Sequence, residues 1–263
     1  MPFAFLPDLR LHYRDEGPKN APALVLVHAL GLDLTIWDQV CAMLPANLRV
    51  IRYDLRGHGQ SDVPTGPYAM GAMVRDAERL LEHLNVKDVA FCGLSIGGLV
   101  AQGIAVKRLD LVRTLILSNT AARIGHESLW EKRIEDARTQ GHEAMVQASL
   151  ERWFPRQDLT QPHIQQIADI LRRTSPEGYI ASMEAIRGTD FYTPTSGLRL
   201  PTLGIGSVND ASTPPDLVRE TTELVPGSEF TLIRRAGHLP CVDQPETYAR
   251  ILTDFLTATG HLK

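Results

Sequence analysis

Gly93-Leu94-Ser95-Ile96-Gly97 is the stretch of this sequence that decides the fold. It matches the pattern G-x-S-x-G, and it stands where the apolar run Val89–Leu94 ends and a second run with helical character, Ile96–Val106, begins. A serine on a sharp strand-to-helix turn presents its hydroxyl above the sheet, and the flanking glycines let strand and helix approach each other closely. The stretch therefore predicts an α/β protein with Ser95 as a nucleophile. The alternative is a buried turn with a structural serine.

Strand and helix patterns alternate on both sides of this motif. The runs Ala23–Val27, Leu48–Tyr53 and Val112–Leu117 are short and rich in β-branched or apolar residues. Tyr68–Leu84 instead repeats its apolar residues at helical spacing. Strands that alternate with helices along the chain are typical of a parallel sheet with crossover helices.

The alternation stops after Thr120, and no β-rich run occurs from Ala121 to Thr195. The helical patterns there cover 127–139, 143–153, 163–173 and 176–186. Strand patterns return at Leu200–Ile205 and Glu229–Ile233, and a helix is predicted over Glu246–Leu256. The predicted architecture is an α/β core of residues 1–120 and 196–263, interrupted by a helical insertion at residues 121–195, which we call the cap.

A serine hydroxyl is a poor nucleophile near neutral pH unless a base removes its proton. Of the nine histidines, His238 alone follows the last predicted strand, in the loop segment Ala236–Pro240. A loop at that point can place the imidazole over the carboxyl end of the sheet. We therefore predict His238 as the general base, with a surface-loop histidine as the alternative.

A carboxylate between Ser95 and His238 should orient the base, because this architecture uses the order serine, acid, histidine. Asp210 follows the predicted strand around Leu203 and precedes a proline-rich loop. Two competitors remain: Asp190 inside the cap, and Asp243 just beyond the base. We predict that Asp210 fixes the tautomer of His238 and stabilises the imidazolium.

Two backbone amides are candidates for an oxyanion hole. The sequence His28-Ala29-Leu30-Gly31 follows the strand Ala23–Val27, and Ile96 begins the helix after the nucleophile. Free N–H groups at a helix N-terminus suit a developing negative charge. We predict that the N–H groups of Leu30 and Ile96 form the hole, and that His28 only shapes its loop. The segment Arg56–Ser61 is interpreted as a tight structural turn rather than a phosphate loop.

Composition excludes several other classes of function. The 27 basic and 31 acidic residues are dispersed and give a net charge of −4, so nucleic-acid binding is not expected. The three cysteines form no CxxC pair, which favours neither a disulfide framework nor a zinc site. No nucleotide-binding motif is recognisable, so neither a cofactor nor a metal is expected. A small molecule is therefore the expected partner, and the oligomeric state stays open.

Location can also be predicted from the sequence. The first residues, Met1–Asp8, reach an acidic residue before any apolar region of signal-peptide length, so no secretory signal is expected. Val89–Val106 has no charged residue, but four glycines interrupt it, and a strand, turn and helix suit it better than a membrane span. With its odd number of scattered cysteines, the chain is expected in the cytoplasm.

Four segments together resemble the α/β-hydrolase superfamily over nearly the whole chain. They are His28–Gly31, Tyr53–Gly59, Gly93–Gly98 and Gly237-His238. This resemblance implies a mostly parallel central sheet flanked by helices, with a triad of Ser95, Asp210 and His238. Two positions depart from the usual pattern: Ala29 replaces a glycine of the oxyanion loop, and the glycine before the acid, Gly206, lies farther from it than usual.

A narrower resemblance lies in the cap. Ser118–Ile124, Leu129–Ile134, Thr174–Tyr179 and Ala185–Arg187 look like the 3-oxoadipate enol-lactonases of bacterial aromatic catabolism. The activity that this resemblance implies is opening of an enol-lactone with a carboxylate side chain to give 3-oxoadipate. A dianionic product requires a cation near the pocket, for which Arg133 is the candidate, with Trp130 as an apolar wall. An exposed helix charge is the alternative for Arg133.

Other functions remain open at this point, because fold does not fix function. The same triad could serve a general carboxylesterase or a hydrolase of carbon–carbon bonds. A third possibility is a binding module that keeps the pocket of a hydrolase and lacks its turnover. A haloalkane dehalogenase is disfavoured, because an aspartate would be expected at the position of Ser95.

Overall fold

The structure, a computed structural model, describes residues 2–262 and is built on one eight-stranded sheet. The strand order is β1-β2-β4-β3-β5-β6-β7-β8. β1 pairs antiparallel with β2 and β2 antiparallel with β4, whereas every other pair is parallel. The strands are β1 (Phe3–Phe5), β2 (Arg10–Glu16), β3 (Ala23–Val27), β4 (Arg49–Tyr53), β5 (Val89–Leu94), β6 (Val112–Ser118), β7 (Thr202–Ser207) and β8 (Glu229–Ile233).

The register of the central strands brings their carboxyl ends to one level. Gly93 of β5 pairs with Val27 of β3 on one side and with Leu117 of β6 on the other, and Leu117 pairs in turn with Gly204 of β7. Residues that follow these strands therefore meet at one edge of the sheet, where open α/β sheets place their functional groups.

Helices cover both faces of the sheet. α3, which starts next to Ser95, is buried on all sides except at its last turn, which explains why it has no polar face. α2 instead buries only one stripe. The core helices are α1 (Asp38–Cys41, after a 3-10 turn at Leu34–Trp37), α2 (Met70–His83), α3 (Ile96–Lys107), α9 (Pro215–Glu223), α10 (Pro240–Asp243) and α11 (Pro245–Ala258).

Five helices and no strand lie between β6 and β7, in the region of the cap. They are α4 (Glu127–Thr139), α5 (His142–Trp153), α6 (Pro162–Arg173), α7 (Pro176–Arg187) and α8 (Tyr192–Ser196). α4 to α7 agree with the predicted helices to within one residue at each end. α8 was not predicted, and it ends one residue beyond the proposed cap boundary at 195.

The cap and the core are packed so closely that their backbones are in contact. Gly57 lies in the loop after β4 and has a positive φ of 78°, and a Cβ there would lie 2.7 Å from the Cα of Gly178 in α7. The Thr174 hydroxyl donates to the Gly31 carbonyl at 2.7 Å, and the Tyr68 N–H donates to the Ala181 carbonyl at 3.2 Å. These contacts place α7 directly against the loops at the carboxyl edge of the sheet.

Three free cysteines line the interior of the core. Cys92 in β5 and Cys241 in α10 are buried, and Cys41 at the end of α1 is half-buried. The Cys92 thiol lies 3.5 Å from the hydroxyl of buried Tyr248. Within residues 2–262, no helix is both long and apolar enough to span a bilayer.

Candidate active site

Ser95 has an unusual backbone conformation at the turn between β5 and α3. Its φ is 59° and its ψ is −118°, a combination that an L-residue with a Cβ rarely adopts. Its N–H donates to the Ser118 carbonyl at 3.0 Å, which fixes the turn against β6. Such strain persists only where the surrounding structure imposes it, and it is found most often at functional sites.

The neighbouring glycines are required by close packing. A Cβ on Gly93 would overlap the backbone of Gly97, and one on Gly97 would lie 2.5 Å from the Val27 carbonyl oxygen. A Cβ on Gly98 would overlap the Thr120 side chain. The glycines of the motif therefore let α3 start directly against β3, and this brings Ser95 next to the loop that follows β3.

The structure brings Asp210 and His238 together. His238 Nδ1 lies 2.9 Å from Asp210 Oδ2, and both side chains are buried. Burial alone would raise the pKa of Asp210, but His238, the Asn119 amide and the Thr213 N–H more than offset it and lower that pKa below its ordinary value. An ionised carboxylate can only accept, so His238 carries its proton on Nδ1 and leaves Nε2 free to accept a proton.

Asp210 has further donors that the sequence did not indicate. Asn119 donates its side-chain amide to Oδ2 at 2.8 Å, and the Thr213 hydroxyl donates to the same oxygen at 2.7 Å. The other oxygen, Oδ1, accepts from the N–H groups of Ser212 and Thr213. Asn119 directly follows β6, so its place at the carboxyl end of a neighbouring strand was the available signal.

The two competing acids lie in other environments. Asp190 is exposed, and its carboxylate accepts from the Tyr192 N–H at 3.0 Å. Asp243 accepts from the Gly237 N–H at 2.7 Å, and burial raises its pKa. Asp243 therefore supports the loop of His238, whereas Asp210 contacts the imidazole itself.

Two neutral histidines shape the loop Val27–Gly31. His28 accepts from the Leu55 N–H at its Nε2, so its Nδ1 carries the proton and donates to the Ala29 carbonyl at 2.8 Å. His58 accepts from the Gly31 N–H at its Nε2 at 2.9 Å. Burial, together with the neighbouring His28, lowers the pKa of His58 to about 3, so it stays neutral.

Of the predicted oxyanion donors, Ile96 directly follows Ser95, and Leu30 belongs to the loop after β3, on which Gly97 packs. Within residues 2–262, neither the Leu30 nor the Ile96 amide has a hydrogen-bond acceptor. Leu30 is 6 % exposed and Ile96 is fully buried, so these N–H groups would be costly to leave without a partner in a dry site. Both amides are thus available to a substrate oxygen.

Ser95 and His238 are both buried, yet no hydrogen bond among the described residues joins the Ser95 hydroxyl to His238 Nε2. Catalytic hydrogen bonds are often long without substrate and shorten when it binds. The face of the His238 ring lies on Trp153 of α5, with ring centroids 5.9 Å apart and an interplanar angle of 26°. Trp153 belongs to no sequence motif and was not predicted as a site residue.

Arg133 and Trp130 lie together in the cap. The Arg133 guanidinium is 4.8 Å from the centre of the Trp130 ring, and Trp130 is buried. Arg133 is only partly exposed and has no carboxylate partner within residues 2–262. Burial and the nearby charge of Arg152 lower the pKa of Arg133 to about 10, which leaves the group charged at neutral pH.

Arg133 lines a cavity of about 260 Å³ between α4, α5 and α7. Arg152 and Tyr179 line it as well. Arg152 also has no carboxylate partner among the described residues. Its terminal nitrogens donate to the Ala148 carbonyl at 3.1 Å and to the Ser149 hydroxyl at 3.4 Å, and its Nε is buried without an acceptor. The Tyr179 ring reaches the loop after β3, since a Cβ on Gly31 would lie 2.7 Å from it. Two guanidinium groups without a carboxylate partner therefore line this cavity, together with Lys132 and Asp136, which pair with each other.

No group of three or more metal-binding side chains occurs in the part of the chain that the structure describes. The chemistry available at this site is that of a serine, a carboxylate-oriented histidine and two free amides.

Comparisons with known proteins agree with this arrangement. Residues 22–245 match the family described as the alpha/beta hydrolase fold. The 3-oxoadipate enol-lactonase 2 of Acinetobacter baylyi is 32 % identical over 243 residues, which cover 92 % of this chain and 91 % of that protein.

Two solved structures are also similar. The enol-lactonase from Burkholderia xenovorans LB400 has a TM-score of 0.93 at 35 % identity, covering 97 % of this chain and 100 % of the other. A thermophilic esterase from Thermogutta terrifontis has a TM-score of 0.88 at 31 % identity, covering 95 % of this chain and 94 % of the esterase. The second similarity shows that an esterase shares this architecture.

Proposed function

We propose that this chain, which belongs to the α/β-hydrolase fold family, opens the enol-lactone of 3-oxoadipate by a Ser-His-Asp mechanism. Its hydrolase role follows from the family. The substrate is our inference, supported by the enol-lactonase relatives at 32 % and 35 % identity. The observation that carries it is the pair of guanidinium groups, Arg133 and Arg152, that face one cavity without a carboxylate partner.

In the proposed acylation step, Ser95 attacks the lactone carbonyl while His238 Nε2 accepts the hydroxyl proton. The developing oxyanion is bound by the N–H groups of Leu30 and Ile96. Asp210 stays ionised and stabilises the imidazolium through Nδ1. His238 then gives its proton to the leaving enolate oxygen, which completes ring opening.

In the second step, His238 removes a proton from the water that attacks the acyl-enzyme, and it then gives this proton to the Ser95 oxygen as the carbonyl–oxygen bond to Ser95 breaks. The enol formed by ring opening tautomerises to the ketone of 3-oxoadipate. The ring-opened product carries two carboxylates. An enolate leaves more readily than an alkoxide, so recognition of the carboxylate side chain is the larger task of the protein.

We propose that Arg133 and Arg152 recognise this carboxylate, with Trp130 as the apolar wall. Tyr179 links the two places, because its ring contacts Gly31 of the loop after β3 and also lines the arginine cavity. A carboxylate there would supply the partner that both arginines lack, and hydrogen bonds to charged groups are worth about 1.5–3 kcal/mol each.

The first test follows the loss of the enol-lactone ultraviolet absorbance with wild type and Ser95→Ala, alongside p-nitrophenyl acetate. We expect fast lactone opening that Ser95→Ala reduces by about 10³-fold or more. Slow lactone opening with brisk ester hydrolysis would keep the nucleophile and reject the lactonase assignment.

The second test separates carboxylate recognition from chemistry. Arg133→Gln should lower kcat/KM for the lactone by about 10- to 100-fold and leave the neutral ester nearly unchanged. Arg138→Gln removes an exposed charge from the same helix and is the matched control. Equal loss on both substrates would contradict the proposed role of Arg133.

A carboxylesterase is the second candidate, favoured by the esterase structure at 31 % identity. It predicts that neutral esters are turned over faster than the lactone and that Arg133→Gln has no selective effect. For either activity we propose a cytoplasmic location, because all three cysteines are free thiols.

A further inference from the structure

A cap residue contacts the proposed general base at two points. The His238 N–H donates to the Trp153 carbonyl at 2.9 Å. The two rings are stacked with centroids 5.9 Å apart, and Trp153 is 3 % and His238 2 % exposed. The imidazole is therefore oriented by Asp210 at its Nδ1 edge and by Trp153 on its face.

The backbone around this contact leaves little freedom. A Cβ on Gly237 would overlap the Trp153 carbonyl oxygen. The Asp243 carboxylate accepts both the Gly237 N–H at 2.7 Å and the Gln157 side-chain amide at 3.0 Å. The loop that carries His238 is thus joined by hydrogen bonds to the end of α5 and to the segment that follows it.

The contact between the Trp153 and His238 rings also affects the stability of the protonated, positively charged form of His238. During catalysis His238 becomes an imidazolium, and an aromatic face within about 6 Å of a cation stabilises it by a factor of roughly 2 to 30 in an equilibrium constant. The neutral ring gains less from the same contact. Trp153 would therefore favour the charged form that the base adopts as Ser95 loses its proton.

We propose that Trp153 is a positioning residue for the base: it orients the His238 ring and stabilises the imidazolium, so that a residue of the cap completes the catalytic apparatus of the core. The proposal rests on the proposed role of His238 but is independent of the lactone substrate. Asp210, Asp243 and Ser95 are the titratable groups around the base, and Arg152 precedes Trp153 in α5. A substitution at Trp153 replaces none of these groups.

The test uses p-nitrophenyl acetate, so that carboxylate recognition plays no part. Trp153→Leu keeps the backbone carbonyl and removes the aromatic face. We expect kcat to fall about 10-fold with a smaller change in KM, and the acid limb of the kcat/KM profile to move to lower pH by about half a unit to one unit. Trp153→Phe keeps an aromatic face and should restore most of kcat and the position of the limb.

Phe154→Leu is the matched control, because Phe154 is also buried and aromatic but its ring lies against His163 rather than His238. It should leave the acid limb unmoved. An unmoved limb in Trp153→Leu, or the same loss in Trp153→Phe as in Trp153→Leu, would overturn the proposal.

His238→Ala distinguishes the two levels of inference. If His238→Ala retains ester turnover, the proposed triad fails whatever Trp153 does. If His238→Ala is inactive and Trp153→Leu behaves as wild type, only the role of Trp153 fails. Thermal unfolding of each variant shows whether a loss of kcat accompanies a loss of folding.

Discussion

At the scale of single residues, Ser95, the proposed nucleophile, has a strained backbone conformation. Its positive φ allows the hydroxyl to stand above the sheet, and a residue with a Cβ pays about 1–3 kcal/mol for such a conformation. Glycine adopts it without that cost. The conformation of Ser95 therefore lowers the stability of the protein, and the proposed role as nucleophile explains why a side chain is kept there.

We predict that Ser95→Gly is more stable than Ser95→Ala by about 1 kcal/mol, because only the alanine retains a Cβ in the strained conformation. The measurement is urea unfolding of both variants, each of which lacks the nucleophile. Ala148→Gly, at an exposed site inside α5, should show the ordinary order, with glycine less stable by about 1 kcal/mol. If Ser95→Ala were more stable than Ser95→Gly, the backbone at position 95 would not be strained.

His58 makes stability depend on pH. It is neutral in the folded protein with a pKa lowered to about 3, whereas an unfolded histidine titrates near 6.5. Between these values the unfolded state binds more protons, so the free energy of unfolding falls as the pH is lowered, by at most about 1.4 kcal/mol per pH unit for this proton.

His58→Gln should flatten this dependence, because the amide oxygen can accept the Gly31 N–H but does not titrate in this range. Denaturant unfolding of wild type and His58→Gln at pH 4, 5, 6 and 7 measures the difference in slope. Parallel curves would mean that His58 does not titrate on unfolding.

Sequence reasoning reached some site residues and missed others for a physical reason. Ser95 and His238 were chosen from motifs and from their order along the chain. Asn119 and Trp153 carry no motif, since each matters only through a partner that folding brings close. Asp210 was predicted from its place after a strand, with Asp190 and Asp243 as competitors, and the structure places Asp210 at His238 Nδ1.

At the scale of elements, periodicity predicted long helices better than edge strands. α4 to α7 have clear apolar repeats and proline or polar residues at their starts, and their predicted bounds agree within one residue. β2 was missed because four of its seven residues are charged and it lies near the edge of the sheet. β7 begins two residues later than predicted, after Pro201, which has no N–H to donate to a ladder.

The contact between α7 and the core gives a prediction at this scale. A Cβ on Gly178 would overlap the Gly57 backbone, so Gly178→Ala should destabilise the protein by about 1–3 kcal/mol despite the higher helix propensity of alanine. Gly71→Ala is the matched control: it lies in α2 with nothing within 4 Å of a Cβ, and should stabilise by up to about 1 kcal/mol. Thermal unfolding measures both, and a stabilising Gly178→Ala would contradict backbone contact between cap and core.

At the scale of the whole molecule, the order of the chain explains how the site is assembled. The nucleophile precedes the cap in sequence, and the proposed acid and base follow it. The cap nevertheless contacts the loops of both halves, through Tyr179 against Gly31 and through Trp153 against His238. The complete site therefore requires that core and cap fold together. The exact extent of the cap, residues 121–195, remains a prediction.

The buried cysteines of the core have a consequence for how opening of the protein can be observed. Burial raises the pKa of Cys92 to about 12 and that of Cys241 well above its ordinary value. Only the thiolate reacts with disulfide reagents, so both groups are inert while the interior stays closed. We predict that Ellman's reagent labels Cys92 and Cys241 of the native protein only as fast as it opens, and that urea exposes both at once. Rapid labelling in buffer would mean that the interior opens often. Slow labelling would give a rate that measures how often β5 and the loop after His238 become accessible to water.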